Sequence, residues 1–228
     1  MRNNNPSRTF PIRSARIDDD AIYSLARRAE QRDCSTEGHL HRVRVVSRLL
    51  AEALRDAGGH PQVDDAFIGL LQATSVLHDI GKHAVLDRVL LKPGRLDADE
   101  FRLMRLHALA GARTLRSLSG RAHDDPWLVM ATEIALTHHE KWDGTGYPRG
   151  LAGESIPLPG RIVALADVYD ALTSARVYKP AFDHEVAREM ILEQRGRHFD
   201  PAIVDAFCAI EAAIVVETTM TPHMRLAA

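Results

Sequence analysis

Apolar residues recur along most of this chain at spacings of three and four, the period of one face of a helix. Val43, Val46, Leu49, Leu50, Ala53 and Leu54 predict an amphipathic helix that follows Gly38-His39 and stops at Gly58-Gly59, with Pro61 beyond. Upstream, Ile22, Leu25, Ala26 and Ala29 follow the acidic run Asp18-Asp19-Asp20 and predict a first helix to about Arg32, since carboxylates favour a helix N-terminus. Asp64 to Val76 reads as a helix apolar on most sides and therefore central. Asp97-Ala98-Asp99-Glu100 opens another, through Phe101, Met104, Leu106, His107, Leu109 and Leu115. Pro126-Trp127 starts a helix that ends in His138-His139, and Arg161 to Leu172 is strongly apolar. Helices over about Glu185–Arg195 and Pro201–Val216 complete the pattern.

The intervening stretches read differently. Met1 to about Arg16 lacks periodicity and is expected to be a mobile arm. Leu86–Leu91 with Lys92-Pro93-Gly94 reads as loop and turn, and Ser117–Asp125 as a polar loop. Trp142–Pro159, rich in glycine and proline, must be an ordered loop or a mobile lid. With no strand-length alternation, repeat or internal linker, the expected fold is all-α: an arm over 1–17, one domain over 18–217 and a tail over 218–228.

Composition changes this picture little. A chain of 228 residues, 45% hydrophobic and 26% charged, is ordinary for a globular protein. A net charge of -2 gives no field to draw the molecule to a nucleic acid polymer or an anionic membrane, so an anionic ligand needs a local site. Cys34 and Cys208 are too few for a disulfide framework and read as free thiols of a cytoplasmic protein. No run approaches the ~18 apolar residues of a membrane span. With no sensory segment ahead of the domain in this sequence, control is expected from expression, metal supply, redox state or a partner chain.

The candidate chemistry lies in two clusters. Val76-Leu77-His78-Asp79-Ile80-Gly81-Lys82 ends an apolar run in an imidazole, a carboxylate and, one turn on, an ammonium. The second is His138-His139-Glu140-Lys141-Trp142-Asp143-Gly144-Thr145-Gly146-Tyr147-Pro148. His39, His78, Asp79, His107, His138, His139 and Asp167 all fall at helix ends or on apolar helices, where polar groups are expensive unless paired or metal-bound. Taken singly, each has a plainer reading. His39 and His107 could be capped or solvent-facing, His138-His139 could answer a helix dipole, and Asp167 could pair with Arg161 or Arg176.

From about Asp18 to about Phe207 these motifs, in this order, resemble the HD-GYP family of HD-domain phosphohydrolases. The resemblance implies that all seven residues are metal ligands. Asp79 would bridge two ions, one held by His39, His78 and Asp167, the other by His107, His138 and His139. Mixed imidazole and carboxylate ligation favours iron or manganese, and two divalent ions against two carboxylates leave a positive site suited to a phosphodiester. Some family members add a third metal through a glutamate four residues before the first histidine; Ser35 stands there, which implies two metals. Lys82 resembles a lysine that contacts the scissile phosphate, so Asp79 and Lys82 are the expected catalytic pair. Gly144-x-Gly146-Tyr147-Pro148 resembles the family loop, with Gly146 and Tyr147 near substrate. Arg176 and Lys179, in Thr173-Ser174-Ala175-Arg176-Val177-Tyr178-Lys179, are expected on guanine or phosphate. Phe199-Asp200-Pro201 is read as a turn with Asp200 as helix cap, and the other histidines as surface or structural.

The implied activity is hydrolysis of cyclic di-GMP to linear pGpG, with GMP as a further product. Two alternatives remain at this level. One is a sensor or interaction module that docks a diguanylate cyclase or adaptor through Gly144–Pro148. The other is a phosphohydrolase of a different nucleotide, such as cyclic GMP-AMP.

Overall fold

Several helices begin where an aspartate takes the first free backbone N–H groups. The computed structural model describes residues 24, 26–29, 38–118, 124–175 and 180–219. In order these give α1 (His39–Ala57), α2 (Asp65–Thr74), the single turn α3 (Asp87–Leu90), α4 (Ala98–Leu118), α5 (Pro126–Thr137), α6 (Leu158–Thr173), α7 (His184–Glu193) and α8 (Pro201–Thr219). Asp64 accepts from Phe67 N at 2.8 Å ahead of α2, and Asp125 from Trp127 N at 2.9 Å ahead of α5. Before α4, Asp97 accepts from Glu100 N while the Glu100 side chain accepts from Asp97 N, both at 2.9 Å, a reciprocal capping box. Asp200 caps α8 through Ala202 N at 2.8 Å, the expected role, and its other oxygen takes Arg161 Nη1 at 2.5 Å. Arg161 is thus engaged with Asp200 rather than Asp167.

Residues 24 and 26–29 are helical, and the rest of the expected first helix lies outside the described residues, as do the arm over 1–17, Cys34, Ser35 and the end of the tail. No strand occurs among the described residues; a lone bridge joins Arg195 and Phe199. The main core packs α1, α2, α6 and α8 through Val43, Val46, Leu50, Leu71, Ile162, Leu165, Ile203 and Phe207. A second core joins Ala26, Leu40, Leu77, Ile80, Leu115 and Ala135. The site described below sits where the two meet.

Two elements depart from the periodic reading. The helix expected over Asp64–Val76 ends as α-helix at Thr74 and tightens to a 3-10 turn over Ser75–Leu77; a second 3-10 segment follows over Ile80–Ala84. His78 and Asp79 therefore occupy the joint between two tight turns rather than a helix end. The stretch Leu86–Leu91, expected as loop, contains the turn α3, whose Val89 and Leu90 pack on Val85, Leu96 and Met104. Tertiary burial makes a short helix where local pattern is silent.

Candidate metal centre

Gly81 sets the first contact of the site. A Cβ there would fall 1.9 Å from the backbone oxygen of His107 and 2.4 Å from Gly111 N, so only glycine lets the Ile80–Ala84 segment lie directly on α4. That contact brings Asp79 against His107. α5 delivers His138 and His139 at its C-terminal end, α1 begins with His39, and α6 carries Asp167.

The seven sequence-derived candidates come together in two groups: Asp79, His107, His138 and His139 in one, and His39, His78 and Asp167 in the other. Within each group the donor atoms lie within 4.8 Å of one another. Asp79 faces both. Its Oδ1 is 3.3 Å from His107 Nε2 and 3.7 Å from His138 Nε2, and its Oδ2 is 3.4 Å from His78 Nε2. Asp167 Oδ1 lies 3.8 Å from His39 Nε2 and 3.9 Å from His78 Nε2.

The ring tautomers follow from the other nitrogen. His78 Nδ1 meets Ser75 O at 2.9 Å, His107 Nδ1 meets Met104 O at 2.7 Å, and His138 Nδ1 meets Ile134 O at 3.0 Å. A carbonyl only accepts, so each Nδ1 carries the proton and donates. His39 Nδ1 lies 2.6 Å from Asp170 Oδ2, a carboxylate that also accepts from Arg42 Nε, with Arg42 Nη2 on Ser174 Oγ at 2.9 Å. All four rings therefore present Nε2 lone pairs inward. His39 Nε2 and His78 Nε2 stand 3.4 Å apart. Asp79 Oδ1, His107 Nε2 and His138 Nε2 are buried with no hydrogen-bond partner among the described residues. Converging lone pairs in a buried site repel one another, and a cation among them reverses the sign. The donor set of imidazole nitrogens and carboxylate oxygens fits a first-row divalent ion.

Electrostatics agree. Burial alone would raise the Asp79 carboxyl, but Lys82 and His78 outweigh it and hold the group well below the usual carboxylate range. Lys82 Nζ is 2.7 Å from Asp79 Oδ2. Burial depresses His107 to about 4, and burial with neighbouring His138 and His107 puts His139 well below the usual imidazole range. These rings stay neutral near pH 7, the form that binds a metal. For Asp170, burial is again the largest influence and acts upward, but the hydrogen bonds from His39 and Arg42 carry the carboxyl below its ordinary value.

The glycine- and proline-rich stretch is an ordered loop, pinned at several points. Buried Glu140 accepts from Arg149 N at 2.7 Å and Leu151 N at 3.1 Å. Trp142 N and Asp143 N donate to the carbonyls of His198 and Arg197 at 3.0 and 2.9 Å, and Tyr147 N donates to His139 O at 3.1 Å. Gly146 packs so closely that a Cβ would lie 2.3 Å from Lys141 N. The Tyr147 ring stacks on His139, centroids 4.7 Å apart at 29°. Arg176 and Lys179 lie outside the described residues, as do Ser35 and Glu37, which bear on a third metal. Sequence reasoning missed Asp170, Arg42 and Glu140. A second carboxylate one turn beyond Asp167 on an apolar helix was the available signal for Asp170, and none marked Glu140.

Residues 21–203 match the family model described as HD domain. The chain belongs to the HD-domain family, in its HD-GYP branch. Over 201 residues it is 51% identical to a cyclic di-GMP phosphodiesterase of Vibrio cholerae, covering 86% of this chain and 40% of that protein. Over 202 residues it is 40% identical to 3'3'-cGAMP-specific phosphodiesterase 2 of the same organism, covering 86% and 36%. A solved V. cholerae structure described as a cyclic GMP-AMP specific phosphodiesterase matches with a TM-score of 0.63 over 89% of this chain and 51% of that one. At 17% identity this last likeness is one of fold. The chain spans less than half the length of these curated relatives. No helix among the described residues is long and apolar enough to cross a membrane.

Proposed function

We propose that this chain is a metal-dependent phosphodiesterase that hydrolyses cyclic di-GMP to linear pGpG, with further cleavage to GMP open to the same site. The observation that carries the reading is the convergence of imidazole nitrogens and carboxylate oxygens, in two groups, around the two oxygens of Asp79. His39, His78 and Asp167 would hold one divalent ion, His107, His138 and His139 the other, and Asp79 would serve both, with iron or manganese as the ions. Bound there, such ions polarise a phosphoryl oxygen and lower the pKa of water into the neutral range.

The chain's own groups do the rest. Second-nitrogen hydrogen bonds fix each ring so that its lone pair needs no reorientation. Lys82 holds a positive charge beside Asp79, suited to a non-bridging phosphate oxygen. The pinned loop keeps Gly146 and Tyr147 at the rim, and by resemblance Arg176 and Lys179 add contacts to guanine or phosphate. The names of the relatives support a cyclic dinucleotide as substrate class.

The test is chromatography of products after incubating anaerobically purified, iron- or manganese-loaded protein with cyclic di-GMP. Linear pGpG or GMP, abolished by Asp79→Ala, is the expected result. Tight binding without product from protein holding two metals would replace the enzyme with a sensor. Turnover undiminished in Asp79→Ala would overturn the site.

A further inference from the structure

Beside the candidate centre lies a cleft of ≈ 280 Å³ lined by Arg102, Arg105, Leu106, Leu109 and Pro148. It borders the seven-residue cluster without containing it: Leu106 precedes His107 on α4, and Pro148 follows Tyr147. We propose that this cleft is a guanine-reading subsite for the half of the dinucleotide that is not being cleaved, with Arg105 as its specificity-determining residue. The proposal rests on the cyclic dinucleotide reading above.

Arg105 is the reason. Its guanidinium carbon sits 4.6 Å from the centroid of Tyr147 and 5.8 Å from that of Phe101, and those two rings meet edge to face at 6.0 Å. It is half-buried, yet among the described residues no carboxylate answers it. A fork of donors clamped by aromatic faces and lacking an acceptor is prepared for an acceptor brought by a ligand. Arg102, already on Asp99, adds charge at the rim. Tyr147 also stacks on His139, so two successive ring contacts connect Arg105 to the reacting end of the site.

The lining selects among ligands. Leu106, Leu109 and Pro148 offer apolar contact to a flat heterocycle, whereas a phosphate held there would lose hydration against carbon. The volume is at the small end of ligand sites, right for one base rather than a dinucleotide. Arginine only donates. Guanine presents two adjacent acceptors, O6 and N7, to a guanidinium fork, while adenine replaces O6 with a donor amine. Such a subsite favours guanine over adenine in the distal position.

The test compares kcat/KM for cyclic di-GMP and cyclic di-AMP in metal-loaded wild type, Arg105→Ala and Arg105→Lys. Wild type is expected to prefer the guanine substrate. Arg105→Ala should reduce that preference by about tenfold or more, chiefly through KM for cyclic di-GMP, and Arg105→Lys should not restore it. A purely structural role, acting through Tyr147 and His139, would lower both substrates alike and leave the ratio unchanged. That outcome overturns the subsite, as do a wild type without guanine preference and a full rescue by lysine, which would make the contact a phosphate. If wild type cleaves neither substrate, the proposed function has failed instead. The subsite is then read by calorimetric binding of GMP against AMP: a guanine preference lost in Arg105→Ala upholds it, and the absence of any preference overturns it.

Discussion

His39 and the pair His107 and His138 present the same atom to the same carboxylate-centred site, but they are held by different means. His39 is held by charge: its Nδ1 rests on Asp170, which is itself tied to Arg42 and, through it, to Ser174. His107 and His138 are held by backbone carbonyls of their own helices, and His139 by the face of Tyr147. The first arrangement depends on a residue 131 positions away and can be broken by one substitution. The second is built into helix geometry and changes only if the helix or the loop moves. A carboxylate behind an imidazole also makes it a stronger electron donor than a carbonyl does. The two groups should therefore differ both in metal affinity and in how mutation reaches them.

The sharpest way to break this symmetry is Asp170→Asn. The amide keeps the shape but loses the charge behind His39, so affinity for one metal equivalent should fall by about 10–100-fold. The other equivalent, served by His107, His138 and His139, should hold. Manganese titration by equilibrium dialysis reads both in one experiment. Equal weakening of the two would show that the halves are not separately supported.

The difference between the halves also governs what was legible before the structure. Periodicity carried α1, α2, α4, α5, α6 and α8 because their apolar stripes are long, and aspartates at 64, 97 and 200 marked the starts of α2, α4 and α8. The seven candidates were legible as polar groups on apolar helices. Their partners were not, because a hydrogen bond between Asp170 and His39, or between Arg161 and Asp200, leaves no trace in local spacing. Nor does composition separate an ordered loop from a lid: the hold on 142–151 comes from buried Glu140 and from two carbonyls of 197–198. The 3-10 turn over Ser75–Leu77 was masked by apolar residues that suit either helix.

Acid should act on the carbonyl-and-loop half through His198. Burial, aided by Lys141 and opposed by Asp143 and Asp167, depresses this ring to about 4 from an ordinary 6.5. Its folded pKa lies below its unfolded one, so the unfolded chain binds the extra proton between them. Stability from the neutral ring is thus complete above about pH 6.5 and is lost as pH falls toward 4. A shift of that size corresponds to about 3 kcal/mol at full burial, and roughly half of that for a ring partly in contact with water. Since the His198 carbonyl takes Trp142 N, the loop should loosen first. Urea midpoints of metal-free protein between pH 7 and 4.5, compared with His198→Gln, measure it; parallel curves for the two proteins would remove His198 as the cause.

The most local effect belongs to Glu140→Gln. The carboxylate accepts from Arg149 N and Leu151 N through separate oxygens. A glutamine keeps one acceptor and turns an NH2 toward the second donor, leaving a buried N–H facing another, at a cost of about 1–3 kcal/mol. Because the two amides belong to one loop, that energy should appear as faster hydrogen exchange at Arg149 and Leu151, with α1 and α6 unaffected. The His39 side, supported from α6, should bind its metal as before. Unchanged protection at both amides would mean that the loop is held by the 197–198 carbonyls and by the seat of Gly146 on Lys141, with Glu140 contributing only bulk.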